Sequence, residues 1–175
     1  NKEAYIYNTS LEDSTHNTNI TNTGRNLEFD GNIYSDDGNI EISNSNDATG
    51  ALTVTGEVAS DSGIISISNT SEYGMVIDNT ANIQNKEGNT VITNTNGSAV
   101  IQNGANIVNT QGGNISVSNS GVGLAIEGII EHQGTGKITV NNTAGDITIN
   151  ETGLLIAADG NIEIENTSTS GIDIT

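Results

Sequence analysis

The sequence predicts an all-β fold, a right-handed parallel β-helix of about seven triangular coils of roughly 25 residues. Three observations carry this: a phrase that returns at a near-constant interval, a period-2 hydrophobic pattern inside each interval, and an asparagine at one fixed place in every interval. From Gly38 the chain reads GNIEISN, then GIISISN from Gly63, GNTVITN from Gly88, GNISVSN from Gly113, GKITVNN from Gly136 and GNIEIEN from Gly160. The steps between these starts are 25, 25, 25, 23 and 24 residues, and a degraded copy, NTNITN, precedes them at Asn17 to Asn22.

Composition supports the same architecture. The 175 residues include 27 Asn, 25 Ile and 21 Gly, with no Pro, no Cys, no Trp and one Phe. β-Branched and turn residues dominate, and large aromatic anchors are nearly absent. A core of repeated small aliphatic contacts suits stacked coils better than a sandwich.

Each repeat divides into three short segments. The first turns Ile40 and Ile42 inward, then Ile65 and Ile67, Ile115 and Val117, Ile138 and Val140, and Ile162 and Ile164. The second turns Leu52 and Val54 inward, then Met75 and Ile77, Ala99 and Ile101, Leu124 and Ile126, Ile147 and Ile149, and Ile172 and Ile174. The third carries Val58, Ile83, Ile107, Ile130 and either Leu155 or Ile156. Glycines between segments are read as left-handed corners that let so short a coil turn.

Asparagine follows the first segment at Asn22, Asn44, Asn69, Asn94, Asn119, Asn142 and Asn166. Stacked at one corner, these amides form a hydrogen-bonded ladder that fixes the register of the coils. The chain reads as a single segment over residues 1–175. AYIYN (Ala4 to Asn8) matches the third-segment phrases ANIQN and ANIVN, so the segment opens on a third strand; GIDIT closes it on a second strand. Ala4, Ile6 and Asn8 at one end, and Ile172 and Ile174 at the other, are therefore expected to supply complementary edges. With no initiating Met and no cap, the chain reads as one unit of a longer fibre, partnered end to end by copies of itself or by adjoining β-helix segments.

Twenty-two acidic residues against four basic ones leave a formal charge of −18. That argues against nucleic acid and against an anionic membrane surface, and it keeps rods with exposed sheets dispersed. No apolar stretch is long enough for a membrane-spanning helix. Without cysteine there is neither a disulfide scaffold nor a thiolate metal site.

The GNIxIxNT, GxxIxN and ANIxN phrases resemble the β-helical stalks of filamentous haemagglutinin-like adhesins, the large exoproteins of two-partner secretion and leukotoxin-type filamentous adhesins. The resemblance covers almost the whole chain. It implies a secreted or surface-anchored bacterial rod that holds host- or glycan-binding regions away from the cell.

Candidate chemistry is sparse, and no catalytic, cofactor or metal-binding residue is assigned. Arg25, Lys2, Lys86 and Lys137 sit at unrelated positions, whereas a β-helical polysaccharide-processing enzyme needs clustered carboxylates, often with a base, on adjacent coils. His16 and His132 fall in turn-like stretches and are read as surface residues. Glu12, Asp13, Asp30, Asp36 and Asp37 are read as solvated turn carboxylates rather than calcium ligands, because the nonapeptide of calcium-binding β-rolls is absent. Of the N-x-S/T sequons, Asn96 and Asn141 are candidates for glycans, whereas Asn69 and Asn166 belong to the ladder. SLEDSTHN, at Ser10 to Asn17, is read as a turn about four or five residues longer than its equivalents.

Overall fold

The computed structural model describes residues 4–13, 17–45 and 50–175. These form a β-solenoid of about six turns with no helix. In chain order the strands are β1 (Ala4–Asp13), β2 (Thr18–Asn22), β3 (Leu27–Ser35), β4 (Ile40–Asn44), β5 (Leu52–Val54), β6 (Glu57–Ser60) and β7 (Ile65–Asn69). There follow β8 (Met75–Ile77), β9 (Asn82–Asn85), β10 (Thr90–Asn94), β11 (Ser98–Ile101), β12 (Asn106–Asn109) and β13 (Ile115–Asn119). The last are β14 (Gly123–Ile126), β15 (Ile129–His132), β16 (Ile138–Asn142), β17 (Ile147–Ile149), β18 (Leu154–Ala157), β19 (Ile162–Asn166) and β20 (Ile172–Ile174).

Every pairing is parallel and unites equivalent positions of successive coils. The first face is a sheet in the order β19, β16, β13, β10, β7, β4, β2. The second and third faces are joined into one 13-stranded sheet, because β3 runs without interruption round the corner at Gly31, pairing with β5 by its first half and with β6 by its second. Period-2 patterning turns alternate side chains inward, and Ile40, Ile42, Ile65, Ile67, Ile115, Leu52, Val54, Val58 and Ile83 are fully buried. Each such side chain contributes about 1.5–3 kcal/mol on burial. The third face resolves the Leu155 or Ile156 alternative: Leu155 pairs with the inward Ile130, while Ile156 points outward and is 41% exposed.

Three expectations are corrected. First, β1 begins on the second face, not the third: Ala4 to Tyr7 pair with Leu27 to Asp30, which belong to the strand row of β5 and β8. The AYIYN phrase matches third-segment copies locally, but hydrogen bonding to the next coil decides the face. Ala4 and Ile6 therefore stand in the strand row that runs through β17 to Ile172 and Ile174. Secondly, SLEDSTHN opens as strand rather than turn, and its Ser14 to His16 lie outside the described residues. Ser10 to Asp13 are strand, paired with Asn32 to Ser35, and the register shift between Tyr7 and Ser10 absorbs a single extra residue.

Thirdly, left-handed backbone accounts for only some of the glycines between segments: Gly74, Gly97, Gly104, Gly113 and Gly145 have positive φ, whereas the repeat-opening glycines other than Gly113 serve close approach. Of Gly38, Gly63, Gly88, Gly113, Gly136 and Gly160, only Gly113 has positive φ. A Cβ on Gly63, Gly88, Gly113, Gly136 or Gly160 would lie 1.7–2.0 Å from the carbonyl oxygen of the glycine one coil earlier. Gly88→Ala is therefore expected to destabilise by about 3 kcal/mol, the upper end of overpacking costs, since the obstacle is backbone. Gly171→Ala, where a Cβ meets nothing within 4 Å, is expected to change stability by less than about 0.5 kcal/mol. Urea denaturation of the two variants checks both values, and equal effects would refute the close-approach explanation.

Candidate functional site

The first-face corner holds the asparagine ladder in full. Nδ2 of Asn22 donates to Oδ1 of Asn44 at 2.8 Å, Asn44 to Asn69 at 3.0 Å, and Asn69 to Asn94 at 2.8 Å. Asn94 then donates to Asn119 at 2.8 Å, Asn119 to Asn142 at 2.7 Å, and Asn142 to Asn166 at 3.3 Å. All six bonds point the same way along the axis. The second amide hydrogen turns to corner carbonyls, such as Ser71 for Asn69 and Gly145 for Asn142. Asn69 is fully buried, which leaves no room for a glycan on that sequon.

A second internal polar column, not recognised in the sequence, ends the third face at Ser35, Ser60, Asn85, Asn109 and His132, all buried. Its members staple the turn into the next first-face strand. Ser35 Oγ and Ser60 Oγ accept the N–H of Gly38 and Gly63, both at 3.0 Å, and Asn85 Oδ1 accepts that of Gly88 at 2.8 Å. Asn85 and Asn109 also donate down the axis, to the carbonyls of Gly63 and Gly88, both at 2.9 Å. Thr90 stands inward where its neighbours carry isoleucine, and its hydroxyl donates to Asn109 Oδ1 at 2.7 Å. The signal was present in part as a polar residue three places before the repeat glycine in SDDG, SDSG and NKEG.

His132 belongs to this column and is completely buried, which corrects its reading as a surface residue. Gly134 N–H donates to Nδ1 at 3.1 Å, so Nε2 carries the proton and donates to Gly113 O at 3.0 Å. The ring does the work that an asparagine does one coil earlier. His16 lies outside the described residues.

A third amide column is external and explains the GN phrase. Oδ1 of Asn17, Asn39, Asn89 and Asn114 accepts the backbone N–H of the same position one coil on, at 2.8–3.0 Å.

Outside the ladders, one open concavity of about 650 Å³ lies at the corner between the second and third faces, lined by Glu28, Asp30, Asn32, Thr55, Gly56, Glu57, Thr80 and Asn82. Corner length shapes it. Phe29 and Ile33, like Val54 and Val58, are four residues apart, whereas Ile77 and Ile83 on the next coil are six apart, so Asn79 and Thr80 overhang the shorter corners. Beside it Tyr34, Glu57, Asp61, Gln84 and Lys86 line a second hollow of about 310 Å³. Hydrogen bonding to Asp36, then partial burial and the charge of Asp61, push the Tyr34 hydroxyl up to about 12, so it stays a donor. Lys86 pairs with Asp61 at 3.8 Å. Glu28, Asp30 and Glu57 thus bring carboxylates together from adjacent coils, a grouping not recognised in the linear sequence. Among the described residues no group of three or more His, Asp or Glu side chains is placed to hold a metal ion, and no helix is long and apolar enough to cross a membrane.

The chain matches no family model, no curated protein and no solved structure.

Removing one rung of a buried ladder leaves a donor below and an acceptor above without partners. Asn94→Ala is expected to cost on the order of 2–3 kcal/mol in thermal or urea unfolding. In the parallel column His132→Asn should be tolerated within about 1 kcal/mol, whereas His132→Leu should cost about 1–3 kcal/mol by orphaning Gly134 N–H and Gly113 O. Equal melts for the two His132 variants would show that the ring fills space and nothing more.

Proposed function

We propose that this chain is a structural segment of an extracellular bacterial fibre or filamentous adhesin, extended along its axis by adjoining β-helix coils. The observation that supports it best is the asparagine ladder, six bonds that point one way along the axis from Asn22 to Asn166. Any further coil with asparagine at this corner continues that column together with the parallel strand ladders. About six turns at about 4.8 Å each make a rod roughly 30 Å long per chain. The dense negative charge keeps such rods apart laterally.

Since third-face β18 follows second-face β17, a coil added after second-face β20 has to begin on the third face. Appending a copy of residues 103–126 after Thr175 supplies third-, first- and second-face strands in that order and is expected to raise the melting temperature, with the added Asn119 copy accepting from Asn166. An unchanged melting temperature would show that the edge accepts no coil. Surface location is tested separately: immunogold electron microscopy with antibody to the purified chain should label fibres on unpermeabilised cells of the source organism, and purely intracellular label would defeat the assignment.

The acidic concavity favours one second reading, a glycan-binding or glycan-processing groove. Glu57, shared by both hollows, is the residue to test. Loss of glycan-array binding in Glu57→Gln with an unchanged melt would support that reading, and an array on which the parent chain binds nothing would remove it.

A further inference from the structure

The sequence contains two Asn-Gly pairs, Asn96-Gly97 and Asn103-Gly104, which are chemically alike and both in turns. Their surroundings differ. The Asn96 turn is stacked on both sides: its Nδ2 donates to Thr70 O one coil earlier at 2.7 Å, and Gly97 O accepts Val122 N–H from the coil beyond at 2.7 Å.

The Asn103 turn is an overhang. It spans Gln102 to Ala105, closed by Ala105 N–H to Gln102 O at 2.9 Å, and both Asn103 and Gly104 are exposed. The following coil turns this corner with two fewer residues, since Ile126 and Ile130 are four apart where Ile101 and Ile107 are six apart. Its backbone therefore bypasses the turn: Glu127 and Gly128 donate to Ile101 O, and Ile129 donates to Ala105 O. Among the described residues no hydrogen bond holds the Asn103 side chain or the Gly104 N–H. On the other side Gly104 lies against Asn79, where a Cβ would come within 2.6 Å of Asn79 O, so glycine is required here with φ +102°.

We propose that Asn103 is a site of spontaneous backbone modification, converting to aspartate and isoaspartate in the folded rod while Asn96 is protected. The Gly104 nitrogen, losing its proton to solvent base, attacks Asn103 Cγ; the Cγ–Nδ2 bond breaks and ammonia leaves, closing a succinimide. Water then opens the ring at either carbonyl. Opening at the α-carbonyl gives isoaspartate, with the chain routed through the side chain, and opening at Cγ gives aspartate. The only co-reactant is water, and there is no net oxidation or reduction. Glycine at the following position leaves the attacking nitrogen unhindered, and the free overhang supplies the rotation that attack requires.

The fold accommodates the product. The extra backbone atom of isoaspartate falls at a corner that already varies by two residues between coils, outside the buried Ile101 and Ile107. Each event adds one negative charge beside Glu127, so the rod becomes more acidic with age at one ridge while its ladders remain intact.

The full chain is incubated at mildly alkaline pH below its melting temperature and followed by peptide-mapping mass spectrometry with electron-transfer fragmentation, which separates aspartate from isoaspartate. Conversion at Asn103 is expected to run several-fold faster than at Asn96 in the folded protein, and at comparable rates for the two in urea. Asn103→Ser should remove the product and leave the melt unchanged. Equal or faster conversion at Asn96 in the folded state, no conversion at either site, or a preference for Asn103 that persists in urea would each overturn the proposal.

Discussion

A parallel coil lays each residue about 4.8 Å beneath its equivalent in the next coil, and everything else in this molecule follows from that like-on-like stacking. Isoleucine meets isoleucine, so a few aliphatic types build a continuous core. Glycine meets glycine where each repeat opens, from Gly38 through Gly160, because that corner leaves no space for a Cβ. A polar group that stacks inward must satisfy its own copy. Carboxylates fail this test by repulsion, whereas a carboxamide passes it, because it holds a donor and an acceptor at opposite sides of one plane. Hence asparagine occupies the first-face corner from Asn22 to Asn166.

The same condition is met differently at the other internal corner. There the polar side chain bonds to turn backbone, so any group with the right reach is admissible: serine at Ser35 and Ser60, asparagine at Asn85 and Asn109, imidazole at His132. A column that pairs with itself admits one residue type, while a column that pairs with backbone admits several. This is why the first is visible as a motif and the second is not.

Variation is permitted where stacking does not impose it. The corner between second and third faces changes length from coil to coil, and those changes produce relief on the rod: the acidic hollow beneath Asn79 and Thr80, and the overhang at Asn103.

The repeat, the three strands per coil, nearly all inward aliphatics and the amide ladder were legible in the linear sequence, because period-2 alternation and a fixed interval are properties of the chain itself. What the first strand pairs with was not. AYIYN looks like a third-face phrase, and only its hydrogen bonds to Leu27–Asp30 place it on the second. Nor was the burial of His132 legible, since its partners Gly113 and Gly134 are supplied by an adjacent coil and a turn, nor the grouping of Glu28, Asp30 and Glu57 across two coils. Periodicity along the chain specified the coil. Contacts between coils, which depend on corner length and vertical register, decided which face each strand joins, which polar groups are buried and where the surface is open.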